Sequence, residues 1–178
     1  MTFYTVVLRE GDARADKDAA RGRALARLLP LLGADAHAAV SHDESGRPFL
    51  PDHPEISVSI SHAAPFTAVA VSTARVGVDV ECVEAVRDPA KLARRFFTEG
   101  EQAALADAAD PAAVCAVWTR KEALAKYVGT GLADTLSRCT ETPPAGGSFQ
   151  SERFATADRH YVLTLCTDEK AEKIETGN

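Results

Sequence analysis

The stretch that most constrains the fold is residues 110–131, which predict one long helix with a clear signal at each end. Asp110 before Pro111 is a typical N-cap followed by a first helical residue. Gly129 supplies the left-handed residue that commonly ends a helix. Such a helix needs an apolar face, and side chains at helical spacing predict one at Val114, Val117, Leu124 and Val128.

A second stripe of the same helix carries Trp118, Glu122 and Lys126, which lie four residues apart. A carboxylate and an ammonium group one turn apart can form a solvated ion pair, which stabilises a helix by only about 0.3–0.5 kcal/mol. The alternative is that each side chain has a separate role in a functional site. A second acidic site upstream favours this alternative.

That upstream site is a predicted strand in which Val76, Val78 and Val80 alternate toward one buried face. Asp79 and Glu81 then project from the other face, about 6.6 Å apart along the strand. Two such carboxylates repel each other unless a cation lies between them. Mg²⁺ suits the pair, because it binds one or two carboxylates together with substrate phosphates. A solvated strand face is the alternative interpretation.

The composition is that of an ordinary soluble globular chain, since 46% of the 178 residues are hydrophobic and 26% are charged. This length allows one domain or two small lobes. The net charge of −6 argues against general nucleic-acid binding. No apolar run reaches the roughly 18 residues of a membrane span, and no signal-peptide pattern is present. The four cysteines lack metal-ligand spacing, so we expect reduced thiols in a cytoplasmic protein.

Strand and helix patterns alternate before the acidic strand. Phe3–Leu8 is a β-rich run, and a basic helix capped by Asp16 or Asp18 is expected to follow it. Residues 33–55 are loop-like, with several prolines and glycines. Residues 56–81 predict a three-stranded antiparallel meander.

Helices are predicted first after the acidic strand, and strands later. Asp88-Pro89 is expected to open a short helix, and Thr98 with Glu101 has the capping-box spacing for the next one. The tail after Thr167 is polar and is expected to fray. Three later segments are predicted as strands: Thr135–Thr140, Phe149–Phe154 and Tyr161–Cys166.

Two short motifs and the first helix could bind an anion. Gly46-Arg47-Pro48 places an arginine in a stiff turn, which reduces the entropy lost on binding. Ser61 and His62 close a predicted strand; a capping pair is the alternative, and no hydrolase-type GxSxG motif accompanies them. Most basic side chains of the first helix are expected to be solvated, but one or two could reach a phosphate: Arg14, Lys17, Arg21, Arg23 and Arg27.

Five motifs together carry a resemblance to a known family. In chain order they are Gly46-Arg47-Pro48, Ile60-Ser61-His62-Ala63, Gly77-Val78-Asp79-Val80-Glu81, Arg95-Phe96-Phe97-Thr98-Glu99, and Trp118-Thr119-Arg120-Lys121-Glu122-Ala123 with Lys126 and Gly129-Thr130-Gly131. The ordered set resembles the 4′-phosphopantetheinyl transferase superfamily, and more its surfactin-synthetase-activating type than its short holo-carrier-protein-synthase type. Each motif alone is weak, and the specificity lies in their order over residues 46–131.

The resemblance implies a reaction and roles for the acidic and basic side chains. The phosphopantetheine arm of coenzyme A would pass to a serine of an apo acyl or peptidyl carrier protein, with release of 3′,5′-ADP. Asp79, Glu81 and Glu122 would ligate Mg²⁺. Glu122 is also the implied general base, although metal-bound water could serve instead. Lys126 would contact the reacting phosphate.

The resemblance also implies a binding site for coenzyme A, held by Arg47, Ser61 and His62. The chain lacks part of the N-terminal helical segment that is usual in this type. The basic residue that would bind the 3′-phosphate therefore has two candidates, Arg21 and Arg14.

An acidic helical carrier protein could dock on a basic and apolar patch formed by residues 94–97 with Arg120 and Lys121. The alternative is that the two phenylalanines of this segment lie in the core and the basic side chains are solvated.

The fold implied is α+β, with two similar lobes in a pseudo-dimer, each a small antiparallel sheet packed with a helix. The active site would lie at the lobe interface, with lobes at residues 1–83 and 84–178. Two lobes in one chain would let a monomer complete the site. Two other classes stay open: a metal-dependent hydrolase of a nucleotide pyrophosphate with the same carboxylates, and a non-catalytic binding module.

Overall fold

The computed structural model describes residues 1–105, 110–129 and 145–175. The strands in these ranges are β1 (Thr2–Leu8), β2 (Ser41–His42), β3 (Pro48–Phe49), β4 (Ser57–Ala63), β5 (Phe66–Ser72), β6 (Val76–Cys82), β7 (Ser148–Ala155), β8 (His160–Thr167) and β9 (Ala171–Lys173). The α-helices are α1 (Arg14–Leu28), α2 (Pro89–Phe96), α3 (Glu99–Ala104) and α4 (Pro111–Val128). Short 3₁₀ segments follow α1 at Leu29–Leu32 and β6 at Val83–Ala85.

The described strands form two sheets that pack against each other. The larger sheet has the order β2-β3-β4-β5-β1-β9, and the smaller has the order β6-β8-β7. Neighbouring strands are antiparallel except β1 and β9, which run parallel. Helix α1 packs on the larger sheet away from the smaller one, and α4 covers the other face of the smaller sheet. A mixed architecture of sheets and helices is thereby confirmed, while the two similar lobes and their boundary stay predictions.

The predicted cap of the first helix is wrong. Neither Asp16 nor Asp18 is the N-cap of α1, because the helix begins earlier, with Ala13 as its N-cap. Asp16 lies in the first turn, where its carboxylate accepts a hydrogen bond from the Ala13 amide at 3.0 Å. An acidic residue at the third helical position can bond back to the cap in this way, so it marks the first turn rather than the cap itself.

The other predicted helix ends are confirmed. The Asp110 carboxylate accepts a hydrogen bond from the amide of Ala112 at the start of α4. Gly129 ends this helix with a φ of 76°, a value that glycine adopts without strain. Asp88 caps α2, and Thr98 forms the expected capping box at α3. Among the described residues, no helix combines the length and apolar character needed to cross a membrane.

The predicted core face of α4 is confirmed, but it packs into two separate hydrophobic clusters, with Leu124 and Val128 in the cluster at the smaller sheet. Val114 and Val117 pack against α2 rather than on the sheet. The Thr119 hydroxyl lies 3.0 Å from that of Thr164 on β8, so a polar side chain stands on the buried face. Because its hydroxyl has a hydrogen-bond partner, Thr119 can be buried. A polar residue on a buried face interrupts the apolar spacing by which such a face is predicted from the sequence. The buried residues along the sheet-facing side of α4 are Cys115, Thr119, Ala123 and Tyr127.

The third strand of the predicted meander is present, but its predicted pairing is wrong. β5 pairs with β4 and β1, while β6 pairs with β8 near the other end of the chain. Hydroxyl groups of β4 instead bind the free edge of β6: Ser59 Oγ accepts from the Val78 amide at 2.9 Å, and Ser61 Oγ accepts from the Val80 amide at 3.3 Å. Alternation predicts a strand and its buried face, but it does not identify the partner strand.

The chain after Thr167 does not fray over its described part. Ala171–Lys173 forms β9 beside β1, and the Thr5 hydroxyl donates to the carbonyl of Ile174 at 2.6 Å. A free edge of β1 provides partners for a polar tail, which the local composition does not indicate. The strand predicted at Thr135–Thr140 lies outside the described residues.

Gly77 allows α4 to approach β6 directly. A Cβ atom at Gly77 would overlap the carbonyl oxygen of Ala123 and would lie 2.5 Å from the amide nitrogen of Tyr127. Both obstacles are helix backbone, which cannot rotate away as a side chain can. The absence of a side chain at this one position therefore sets the spacing between the strand and the helix.

We expect Gly77→Ala to lower the free energy of unfolding by about 1–3 kcal/mol, because the helix must move off the strand. Chemical denaturation measures this change. Gly22→Ala is the matched control, since a Cβ there meets nothing within 4 Å on an exposed face of α1. We expect the control to be neutral or stabilising; equal effects of the two substitutions would contradict the close approach.

Candidate functional site

The centre of the site is the carboxylate of Asp79, which is only 3% exposed. Its Oδ1 atom accepts from Lys126 Nζ at 2.8 Å and from the Ser61 hydroxyl at 2.7 Å. Its Oδ2 atom is buried and has no hydrogen-bond partner among the described residues. Three elements, β4, β6 and α4, therefore meet at one carboxylate, and one oxygen of that carboxylate has no partner among the described residues.

The predicted helical stripe places Lys126 over β6. Its ammonium group also donates to the carbonyl of Val78 at 3.0 Å, and its side chain is 29% exposed. Burial raises the pKa of Asp79, while Lys126 and the Ser61 hydroxyl act in the opposite direction. Lys126 pairs with Asp79, and no ion pair with Glu122 is found among the described contacts, so the simple helical ion pair is not the arrangement found.

The charge of Asp79 acts on the other two acidic side chains, Glu81 and Glu122, but these two line different cavities. Burial raises the pKa of Glu81 to about 7, and the negative charges of Asp79 and Glu122 act in the same direction. Trp118, as a hydrogen-bond donor, acts in the opposite direction. Burial and Asp79 likewise raise the pKa of Glu122. Glu122 lines a cavity shared with Lys126, whereas Glu81 lines a second cavity beside Trp118.

The three carboxylates are not assembled as a ready-made ligand group. Within residues 1–105, 110–129 and 145–175, no three acidic, histidine or cysteine side chains stand close enough to hold a metal ion. Lys126 already occupies Asp79 Oδ1, and Glu81 and Glu122 line different cavities. The donor chemistry nevertheless fits a hard cation, because the set is all carboxylate and Asp79 Oδ2 has no other described partner.

The cavity beside Glu122 and Lys126 has a volume of about 240 Å³, and the predicted Arg47 turn forms one of its walls. Asp43 organises this turn, since its Oδ1 atom accepts from the amides of Ser45 and Arg47 at 2.9 Å. The structure thus brings the arginine of the Gly-Arg-Pro motif into the same cavity as the two residues of the helical stripe.

The second cavity, beside Glu81 and Trp118, has a volume of about 340 Å³. Its floor contains Trp118 and Phe96, whose ring centroids are 5.2 Å apart. Its charged lining is basic apart from two carboxylates, and consists of Glu81, Arg87, Asp88, Lys91 and Arg95. Asp79 lines neither cavity, but its partner Lys126 lines the first and Glu81, on the same strand, lines the second.

Ser61 and His62 have separate surroundings, although they are neighbours in sequence. The Ser61 hydroxyl is buried against Asp79, so it positions that carboxylate in this structure. His62 is exposed, and its Nδ1 atom lies 2.9 Å from the Thr67 hydroxyl. Desolvation, together with the cations of Arg9 and Lys17, lowers the pKa of His62 to about 4.

Arg9 is a candidate anion ligand that the sequence patterns did not reveal. Its guanidinium is 1% exposed; one nitrogen pairs with Asp12 at 2.9 Å, while Nε and Nη1 are buried without a described partner. Arg21 is 27% exposed and also acts on His62, whereas Arg14 is 96% exposed. Arg9 directly follows a strand, a position at which a lone arginine is usually solvated, so no local pattern distinguishes it.

The proposed docking patch loses one of its members. Lys121 is completely buried, and its ammonium lies 2.7 Å from a carboxylate oxygen of Glu101. The same Glu101 carboxylate accepts from the Thr98 amide in the capping box of α3. This pair therefore attaches α3 to the helix residue next to Glu122.

We expect removal of the buried lysine in Lys121→Met to cost about 3–5 kcal/mol of unfolding free energy, because Glu101 is left buried and charged. The double substitution Lys121→Met with Glu101→Gln is expected to recover part of this loss, since a neutral amide still accepts from Thr98. Equilibrium denaturation of the four proteins of this cycle measures the coupling. Additive effects would contradict a buried, mutually dependent pair.

The raised pKa of Glu81 predicts a pH dependence of stability in metal-free protein. Between its ordinary pKa of 4.5 and about 7, the folded state holds a proton that the unfolded state has released, so stability falls as pH rises. Glu81→Gln is expected to flatten this fall and to be more stable than the parent at pH 8. Thermal melting of both proteins across this pH range, with a chelator present, measures the difference. Identical pH profiles of the two proteins would contradict the raised pKa of Glu81.

Comparison with known proteins places the chain in a family. The family model described as the 4′-phosphopantetheinyl transferase superfamily matches residues 75–172. A 4′-phosphopantetheinyl transferase of Bacillus subtilis is 27% identical over 137 residues, covering 69% of this chain and 60% of that relative. The 4′-phosphopantetheinyl transferase gsp of Aneurinibacillus migulanus is 32% identical over 93 residues, covering 51% of this chain and 38% of the relative. These matches span less than two thirds of either relative. Because the family model matches more than half of the chain, the chain belongs to the 4′-phosphopantetheinyl transferase superfamily.

Proposed function

We propose that this chain transfers the 4′-phosphopantetheine arm of coenzyme A to a serine of an apo acyl or peptidyl carrier protein, releasing 3′,5′-ADP in a Mg²⁺-dependent reaction. The observation that carries the proposal is the buried carboxylate of Asp79, which has one oxygen without a partner among the described residues. Its partner Lys126 lines one cavity with Glu122, and Glu81, two residues along β6, lines the other. Both relatives are named as 4′-phosphopantetheinyl transferases.

The cationic side chains support coenzyme A as the donor. Arg47 and Lys126 line the cavity beside Glu122, here called the first cavity, where they would meet the pyrophosphate. His62 lies in the field of Arg9 and Arg21, which together suit the 3′-phosphate. The Nε and Nη1 atoms of Arg9, which have no partner within the described part of the chain, make it a stronger candidate than the exposed Arg14.

Asp79, Glu81 and Glu122 are the proposed ligands of Mg²⁺, with oxygen donors of the kind this ion prefers. When bound, Mg²⁺ supplies Lewis-acid polarisation of phosphoryl oxygens and orients the donor. Glu81 and Glu122 have raised pKa values in the metal-free protein, and a bound cation would favour their charged forms.

In the proposed reaction the serine oxygen bonds to the phosphorus that carries the pantetheine arm, and the bond from that phosphorus to the bridging oxygen breaks. The bridging oxygen leaves with 3′,5′-ADP. Glu122 is the proposed acceptor of the serine proton, because it lines the same cavity as Lys126, and metal-bound water is the alternative acceptor. Lys126 would offset the negative charge on the reacting phosphate, and most of the catalysis would come from positioning and charge neutralisation.

The second cavity is the proposed approach of the carrier serine. It opens from Glu81 and combines the aromatic floor of Phe96 and Trp118 with basic side chains that include Lys91 and Arg95. Such a surface complements an acidic helical partner. The donor and the acceptor would then reach the acidic residues through different cavities.

The remaining elements of the proposal concern the whole molecule. We propose that the chain divides into two lobes, at residues 1–83 and 84–178, and that the protein is cytoplasmic. Action as a monomer is supported by the meeting of β6 and α4 within one chain, which gives the site its acids without a second copy.

We expect a panel of apo carrier proteins, incubated with this chain, coenzyme A and Mg²⁺, to yield one carrier that gains the phosphopantetheine mass on a single serine. Mass spectrometry identifies that serine. Release of 3′,5′-ADP must depend on the carrier; release without any carrier would favour the hydrolase alternative.

Asp79→Asn and Glu122→Gln are expected to lower the transfer rate by about 10²–10⁴-fold, the range typical for loss of general acid–base or charge-stabilising groups. Glu99→Gln is the matched control, because this glutamate is exposed on α3 and lines neither cavity described above. Transfer at the parent rate by the Asp79 and Glu122 variants would show that the assigned roles are wrong.

A further inference from the structure

The ammonium group of Lys126 lies where a cation bound to Asp79 would be expected. Its Nζ atom is 2.8 Å from Asp79 Oδ1 and 3.0 Å from the carbonyl oxygen of Val78. These are the distances of direct, charge-assisted hydrogen bonds. A metal ion on the other oxygen, Oδ2, would stand close to this positive charge in a poorly hydrated place, and the two would repel each other.

We infer that Lys126 is the internal counter-ion of Asp79 in the metal-free protein, and that a divalent cation binds only as Lys126 leaves. This inference rests on the proposed function, since it takes Asp79 as a metal ligand. It explains why the acidic side chains of the described residues do not form a ready-made metal group in the metal-free protein.

The surroundings of Lys126 allow such a movement. Its side chain is 29% exposed and borders the first cavity together with Arg47 and Glu122. A lysine stem is flexible, so the ammonium can swing from Asp79 into the cavity without backbone movement. Lys121, five residues earlier on the same helix, is completely buried against Glu101 and has no such freedom.

The exchange also gives Lys126 two successive roles with one charge. In the metal-free protein it neutralises a carboxylate that would otherwise be buried and charged, which is costly. Once the cation replaces it, the ammonium is free in the cavity proposed for the pyrophosphate, where it would meet the reacting phosphate. The metal and the donor would therefore assist each other's binding through this side chain.

The first test measures Mn²⁺ binding by titration calorimetry without coenzyme A, in the parent and in Lys126→Met. Methionine keeps most of the aliphatic length and removes the charge. We expect the variant to bind Mn²⁺ at least about fivefold more tightly, because no ion pair must be broken first. Lys173→Met is the matched control for a change in net charge, since Lys173 pairs with Glu152. Equal or weaker binding by Lys126→Met would overturn the inference.

The second test uses only the parent protein, so it does not depend on a variant that folds. Amines are labelled by reductive methylation with and without Mg²⁺, and mass spectrometry follows each lysine. We expect Mg²⁺ to increase the labelling rate of Lys126 and to leave Lys121 unlabelled. An unchanged or slower rate at Lys126 would overturn the inference.

The two proposals fail in different ways. Carrier modification by the parent, with no change in Mn²⁺ affinity in Lys126→Met, removes the counter-ion role and leaves the transferase. Tighter Mn²⁺ binding by Lys126→Met, without modification of any carrier, supports the counter-ion role and removes the transferase. Absence of Mn²⁺ binding by both proteins overturns the counter-ion role and the metal assignment together.

Discussion

The burial of a single carboxylate, that of Asp79, is the interaction on which the rest of the site depends. A charged group removed from water is costly unless partners replace the lost hydration. Here the partners come from both neighbouring elements, the Ser61 hydroxyl from β4 and the Lys126 ammonium from α4. Because one side chain ties two layers together, the position of each layer is coupled to the chemistry of the site.

Two packing features hold the helix where Asp79 needs it. Gly77 lets the backbone of α4 approach β6, and the buried pair of Lys121 and Glu101 attaches the same helix to α3 on another side. The functional stripe and the structural contacts therefore alternate along one helix: Lys121 is internal, while its neighbour Glu122 faces a cavity. A change in either packing contact would move Glu122 and Lys126 relative to the strand.

Local signals in the sequence were sufficient for the ends of α4 and for the starts of α2 and α3, and they selected side chains that the fold brings close together. Asp110 and Gly129 act as predicted, and Arg47 and Lys126 share a cavity although they are distant in sequence. Long-range pairing was not accessible in the same way: the alternation of β6 does not show that β8 is its partner, and Arg9 resembles any surface arginine until its burial is known. Such features depend on which distant segments fold together, and periodicity carries no information on this.

The central claim is that Asp79 of β6 and Glu122 of α4 share one divalent cation. Crystals soaked in Mn²⁺ and coenzyme A, with data collected at the manganese absorption edge, test it most directly, because anomalous scattering locates the ion independently of any assumption about its ligands. The account predicts one strong peak within coordination distance of both carboxylates, about 2–2.5 Å from an oxygen of each. A peak bound to neither side chain, or to only one of them, would contradict it.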